Sequence, residues 1–345
     1  MRILYCTPLV GKSGADIYYK LLRQTQVQLN ERVKFLRFHP YWTFYPFALR
    51  PFIKAKLSYD VIHSNAEFGF VFKSELHPLI VSVLHIITNP FQTNYLTLAQ
   101  KLYYQLMLKY MYRSVKKAQI VITISKATEQ TVRNLFGVTN VETVYCGIDT
   151  NIFKPISIKS DLYPEKIKLL FVGNLTKRKG VDLLPKIMEK LDNRFLLFYT
   201  TGLRSPKMVF PDARLIPLGR LTTEELVYWY NLCDIGLLPS RLEGFGYAVA
   251  EAMACGKPVV ATNCSSLPEI VINGENGFLC KMDDVSDFVD KIMTLADNQT
   301  MRQEIGVRNR QRIVNNFNLE KMGKEYNELY RRVLKEFNEE RSVTK

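Results

Sequence analysis

Short apolar runs alternate with longer stretches of helical period along the whole chain, and this alternation limits the possible folds more than any other feature. In the first half, Arg2 to Cys6, Val33 to Phe38, Val61 to His63, Ile80 to Leu84 and Ile120 to Ile124 read as strands, with helices around Ile17 to Leu29 and over Leu98 to Lys117. In the second half, Lys168 to Val172, Asn193 to Tyr199, Ala213 to Leu218, Ile235 to Leu238 and Val259 to Ala261 repeat the pattern. Val285 to Phe317 is expected to be helical, and a last helix to run from Leu319 to about Glu339. Strands without a polar face belong in parallel sheets covered by helices on both sides, so the prediction is an α/β chain. At 345 residues it is long for one core and comfortable for two domains. Ligands of such sheets bind at the carboxyl ends of the strands.

Composition narrows the classes further. With 47% hydrophobic and 23% charged residues the chain is globular throughout. Met1-Arg2-Ile3-Leu4-Tyr5 begins a strand rather than a signal peptide, and no apolar run approaches the length of a membrane span. A soluble or surface-attached protein is expected. Cys6, Cys146, Cys233, Cys255, Cys264 and Cys280 are scattered, with no metal-binding or disulfide spacing, which suits a reducing cytoplasm. Residues 1–150 carry 18 Lys and Arg against 8 Asp and Glu, whereas the remainder carries 29 against 25. The positive excess therefore sits on the first half.

The densest chemical signal is Glu243-Gly244-Phe245-Gly246-Tyr247-Ala248-Val249-Ala250-Glu251, running on to Gly256 and the strand at Val259. A Gly-rich turn between a strand and a helix leaves backbone N–H groups pointing at one place, which suits a phosphate-bearing ligand. Glu251, among Ala248, Val249, Ala250, Ala252, Met253 and Ala254, is expected to be buried and so to need a partner. Gly11-Lys12-Ser13 imitates the end of a phosphate-binding P-loop, but Cys6 stands where that motif needs a glycine.

Pro239-Ser240 through Thr262, with Glu243 and Glu251 inside it, resembles the donor-site signature of the family-4 retaining glycosyltransferases. Phe171-Val172-Gly173-Asn174-Leu175 with Lys179-Gly180, Leu218-Gly219-Arg220, and Glu269-Ile270-Val271 leading to Gly274 and Gly277-Phe278-Leu279 resemble further family segments in order and spacing. The resemblance is dense in the C-terminal half and thin in the N-terminal half. It implies the GT-B fold, two Rossmann-like doubly wound domains facing across a cleft. The domains are expected at 1–160 on the acceptor side and 161–318 on the donor side, with helix 319–345 returning to the first. Cys146 to Pro155 resembles the family's linker.

The same resemblance implies a nucleotide-sugar co-substrate such as a UDP- or GDP-sugar, with no metal and no further cofactor. Lys179 would bind the phosphates, supported by Arg178, and Asn174 stands where the family often has arginine. Glu243 would bond donor-sugar hydroxyls and Glu251 the ribose. Gly173, Gly219, Arg220, Gly244, Phe245, Gly246 and Tyr247 would line the donor site, and His85 would contact the donor sugar. Gly11 and Gly14 would face the acceptor and the donor diphosphate. Ser125 matches a family position that caps a helix, and His63 reads as structural or acceptor-side. The resemblance also implies retention of anomeric configuration with the leaving phosphate itself taking the acceptor proton, and no protein nucleophile is assigned.

Two segments of the basic half mix aromatic and cationic residues: 41–56, and 98–117 with Tyr103, Tyr104, Tyr110 and Tyr112. Such mixtures suit an anionic lipid surface or RNA. The helix is expected to pack on its sheet with its lysines at a solvated edge, while residues 41–56 are expected to face a membrane. The leading expectation is a cytoplasmic enzyme, peripheral on the membrane, that glycosylates a lipid-linked or surface-glycan acceptor. A soluble acceptor such as a sugar phosphate or glucan, a non-catalytic nucleotide-sugar binder, and a nucleic-acid binder are the alternatives.

Overall fold

Each half of the chain builds its own parallel six-stranded sheet, described here from a computed structural model at residues 1–8, 14–51, 59–86, 97–158, 162–201 and 210–343. The chain divides into one unit of Met1–Gly147 with Leu319–Lys345 and another of Ile148–Asn318.

The first unit runs β1 (Arg2–Thr7), α1 (Gly14–Gln28), β2 (Arg32–Arg37), β3 (Val61–Asn65), β4 (Leu79–Val83), α2 (Leu98–Lys117), β5 (Ile120–Thr123), α3 (Lys126–Phe136) and β6 (Val141–Thr143). Its strand order is β2-β1-β3-β4-β5-β6, every pair parallel. β1, β3 and β4 are buried on both faces, as their unbroken apolar runs require, while the edge strand β2 is mostly open. Thr97 and Gln100 form a reciprocal capping box at the start of α2. Ser125 caps α3 by accepting from the Thr128 N–H, and left-handed Gly137 ends that helix.

The second unit contains β7 (Ile167–Phe171), α4 (Leu184–Lys190), β8 (Phe195–Thr200), β9 (Leu215–Gly219), α5 (Thr223–Leu232) and β10 (Ile235–Leu238). It continues with α6 (Tyr247–Ala254), β11 (Val259–Thr262), α7 (Leu267–Ile270), β12 (Phe278–Cys280), α8 (Val285–Ala296) and α9 (Gln299–Asn316). The order β12-β11-β10-β7-β8-β9 is again parallel throughout. The helical stretch expected over 285–317 is two helices, because the Asn298 side chain accepts from the Met301 N–H and starts a new one.

α10 (Leu319–Val343) belongs to the first unit. Its Gly323 lies so close to α1 that a Cβ there would stand 2.5 Å from Thr25 Cβ. A buried polar cluster joins the same helix to the sheet. His63 contacts the Tyr330 hydroxyl through Nδ1 (2.7 Å) and the Ser82 hydroxyl through Nε2 (2.6 Å), and Tyr18 bonds both Ser82 and Tyr326. His63 is therefore a structural residue, and burial pushes its pKa down to about 3.

The division between units falls at Gly147 rather than at residue 160, because the stretch after it bonds into the second unit. Ile148 N–H donates to the Phe317 carbonyl, Asn231 bonds Lys154 and Ile156, and Arg310 donates to the carbonyls of Thr150 and Phe153. Among the described residues no helix is long and apolar enough to cross a membrane.

Candidate active site

β7 and β10 are neighbours in the second sheet, so the loops leaving their carboxyl ends meet although they are far apart in sequence. After β7 the chain passes Val172, Gly173 and Asn174 and makes one 3-10 turn, Lys177–Lys179, closed by left-handed Gly180 at φ +72°. A Cβ on Gly180 would stand 1.9 Å from the Pro239 carbonyl oxygen, so only glycine lets this turn lie against the end of β10. The Lys179 stem crosses Gly173, with Cδ and Cε 3.8 Å from where a Cβ would be. Its ammonium then reaches Glu243 Oε1 at 2.5 Å.

This ion pair is largely closed to water, with side-chain exposures of 15% and 7%. Burial pushes the Glu243 carboxyl up, but the charges of Lys179 and Arg178 and the hydrogen bond from Lys179 outweigh it and hold the group below the usual range. Arg178 is anchored to the scaffold at one nitrogen and its backbone: its Nη1 donates to the Leu242 carbonyl (2.8 Å), and its carbonyl accepts from the Arg241 N–H (2.8 Å).

Beyond Glu243 the chain turns through Gly244 and Phe245 to Gly246, whose φ of +106° places it at the head of α6. A Cβ at Gly246 would come within 2.8 Å of Leu267 Cδ2. The Ser266 hydroxyl, fully buried, donates to the carbonyls of Phe245 (2.8 Å) and Glu243 (3.3 Å) and holds the loop from beneath. No side chain caps the first turn of α6, so its N–H groups are available to an anionic ligand. The Phe245 ring packs in the core against Tyr247 and Phe317, so it offers a ligand its backbone and not its side chain. Tyr247 is half-buried.

Glu251, expected to be buried, lies farther along α6 and is half-buried. The partner it needs is Tyr230 of α5, whose hydroxyl donates to Oε2 at 2.8 Å and also reaches the Ala248 carbonyl. Burial pushes the Glu251 pKa up to about 7, against the opposing pull of that hydrogen bond and of Lys179. Gly219 and Arg220 end β9, two strands from β7. Gly219 is left-handed with open space beside it, and Arg220 is exposed. Asn174 is half-buried, and its carbonyl accepts from Thr176. His85, exposed just beyond β4, and Gly14, at the start of α1, belong to the first unit, and Gly11 lies outside the described residues.

Tyr230, Ser266 and Arg241 were not singled out in the sequence, and Arg241 makes the most hydrogen bonds. The buried Arg241 guanidinium donates to Asp182 through Nη1 (2.7 Å) and Nη2 (2.9 Å), to Asp283 through Nε (2.6 Å) and to the Lys177 carbonyl (2.5 Å). It thereby ties the turn bearing Lys179 to the loop bearing Glu243 and to the loop after β12. Its one visible signal is an arginine within an otherwise apolar or small-residue approach to Glu243. Among the described residues no group of three His, Cys, Asp or Glu could hold a metal ion.

Residues 166–298 match the glycosyl transferases group 1 family, and residues 9–152 match glycosyltransferase family 4. The chain belongs to these group 1, family 4 glycosyltransferases. N-acetyl-alpha-D-glucosaminyl L-malate synthase of Bacillus anthracis is 28% identical over 215 residues, 57% of this chain and 55% of that protein. The first curated relatives are thus matched over only about half of their own length. Among solved structures, sucrose-phosphate synthase from Thermosynechococcus elongatus superposes with a TM-score of 0.84 at 19% identity, covering 96% of this chain and 99% of that one. Anabaena HepE, solved with UDP-glucose, gives 0.77 at 18% identity, covering 95% and 99%. Both share the fold of this family 4 glycosyltransferase, which is GT-B.

Proposed function

We propose that this chain is a retaining glycosyltransferase that moves a sugar from a nucleotide-sugar donor, with UDP or GDP as the carrier, to a lipid-linked or surface-glycan acceptor. The observation that carries the reading is the Lys179–Glu243 pair at the carboxyl ends of β7 and β10, beside the uncapped start of α6. Transfer from such a donor needs a stabilised diphosphate leaving group. An ammonium already held in place, a second cation at Arg178 and aligned helix N–H groups supply that stabilisation with little reorganisation. This charge arrangement supports a reaction that needs no metal.

Glu243, kept ionised by Lys179, accepts hydrogen bonds from donor-sugar hydroxyls and fixes the sugar beside the cations. Glu251, with one oxygen engaged by Tyr230, offers the other to the ribose. His85 and the loop holding Gly11 and Gly14 are assigned to the donor sugar and diphosphate by the family resemblance. The acceptor proton passes to the departing phosphate oxygen, and no side chain acts as a covalent nucleophile. HepE, which shares the fold, was solved with UDP-glucose, which favours UDP among the carriers to test first. The exposed aromatic and basic residues of the first unit support a peripheral place on a cytoplasmic membrane face.

Thermal unfolding with UDP-, GDP- and ADP-sugars in the presence of a chelator tests the donor site, because a ligand of the folded state raises the melting temperature. One carrier class should stabilise the wild type, and Glu251→Ala should abolish that shift. Absence of any shift at saturating concentration would refute the reading. The anomeric configuration of the product, read by NMR, tests retention.

A further inference from the structure

Among the described residues, one face of α2 is exposed. Met107, Tyr110, Met111, Ser114 and Val115 turn inward onto the sheet. Outward, Leu98 (74% exposed) and Leu102 (59% exposed) begin a stripe that continues at helical spacing through Lys109, Tyr112 and Lys116. The helix has five basic residues and no Asp or Glu. Beside it, exposed Leu135 of α3 closes a shallow groove of about 320 Å³ that Lys109, Tyr112 and Arg113 also line.

A second exposed group belongs to the same unit. Two 3-10 turns, Pro40–Thr43 and Pro46–Leu49, bury Thr43, Pro46 and Leu49 and leave Tyr41, Phe44, Tyr45 and Phe47 outside. The Phe47 ring meets Phe70 at 5.5 Å, and Phe70 meets Tyr110 of α2 at 5.0 Å. The turns and the helix therefore pack on one shared core ring, Phe70, with the Tyr110 side of α2 turned towards it. As expected, α2 packs by one face and its cations lie at a solvated edge, where exposed leucines and aromatic rings are interleaved with them.

We propose that α2 and the turns at Tyr41–Phe47 dock the chain on an anionic lipid bilayer, with rings and leucines at headgroup depth and Lys101, Lys109, Arg113 and Lys116 on the lipid phosphates. Charge decides the occupant. A second copy of the chain would set cations against cations, since α2 carries no acid to answer them. Single-stranded RNA uses cations and stacking rings but has no use for exposed Leu98, Leu102 and Leu135, whereas an interfacial helix requires such residues. The inference rests on the membrane-associated part of the proposed function and gives it a surface.

The test is co-sedimentation of the full chain with vesicles of phosphatidylcholine alone and of phosphatidylcholine with roughly one third phosphatidylglycerol. Binding is expected to the anionic vesicles only and to weaken with salt. Each cation near such a surface strengthens binding roughly fivefold, so Lys101→Glu, Lys109→Glu and Arg113→Glu together should weaken it by about 100-fold or more. Leu98→Ser with Leu102→Ser should also weaken it. Both variants should keep the nucleotide-sugar thermal shift, which shows that they fold, and Glu251→Ala should keep vesicle binding. Vesicle binding without any donor shift would sustain this surface while removing the donor reading. Equal binding of wild type and charge-reversed chain, or binding to single-stranded RNA with none to anionic vesicles, overturns the proposal.

Discussion

Gly180 and the Pro239 carbonyl lie so close that a Cβ on residue 180 would approach the oxygen to 1.9 Å. The contact presses the turn carrying Lys179 against the strand end that leads to Glu243. Gly180→Ala must move that backbone and also hold alanine at a φ of +72°. A loss of about 2–3 kcal/mol is expected from the strained backbone and the clash. Chemical denaturation should record it, together with a weaker donor-induced thermal shift. Full donor binding in a stable Gly180→Ala protein would show that the turn tolerates displacement.

Lys179→Met leaves the Glu243 carboxylate buried without its cation. Breaking such a pair from one side costs about 3–5 kcal/mol, whereas replacing both partners with apolar residues is often close to neutral. Lys179→Met combined with Glu243→Leu should therefore recover most of the stability that Lys179→Met loses. Activity should fall by about 10²–10³ in kcat in the single variant and not recover in the double one. Recovery of turnover in the double variant would remove the pair from the chemistry.

The Glu251 carboxyl, with its pKa pushed up to about 7, makes stability depend on pH with a definite sign. Between the unfolded value near 4.5 and about 7 the folded chain holds more protons than the unfolded one, so this group's contribution falls as pH rises through that window and is constant above it. Discounted for partial exposure, the change is on the order of 2–3 kcal/mol. Glu251→Gln removes it. Denaturant midpoints of the variant and wild type should therefore diverge from pH 5 to pH 8, the variant being the more stable at the upper end. A pH-independent difference would mean that Glu251 ionises normally.

Arg241 holds three separate segments, so Arg241→Gln should cost about 2–4 kcal/mol through the carboxylates of Asp182 and Asp283 that it abandons. Because the turn before Gly180 is one of those segments, the donor KM should rise more than kcat falls. Arg241→Lys, which restores charge but not the forked geometry, should recover part of the stability. An unchanged KM in a folded Arg241→Gln chain would reduce Arg241 to a purely structural residue.

Much of this protein can be read along the chain. The strands β1, β3, β4, β10 and β11 are short apolar runs, α2 carries its own capping box, and the segment from Glu243 to Glu251 holds a strand end, a Gly-rich turn and a helix start within one stretch. These features depend on neighbours a few residues away, through side-chain period, backbone sterics and capping. Three-residue β6 and β12 carry too little period to be noticed, and the break at Asn298 is a cap hidden inside a longer helical pattern.

The partners inside the site are a different matter. Lys179 meets Glu243 across 64 residues, Arg241 meets Asp182 across 59 and Asp283 across 42, and Tyr230 meets Glu251 across 21. The Lys179 and Asp182 pairs exist because β7 and β10, distant in sequence, stand side by side and deliver their loops to the same end of the sheet. Asp283 follows β12 in the same sheet, and Tyr230 and Glu251 meet between the helices α5 and α6. The order β12-β11-β10-β7-β8-β9 is set by which layers bury the most apolar surface together, a property of the whole unit that no local stretch encodes. From residue types and spacing alone, the chain determined an α/β fold of parallel sheets covered by helices and a phosphate-suited loop. Which charges neutralise one another there, that Phe245 turns into the core and that α2 keeps an open cationic face were decided only when the sheet assembled.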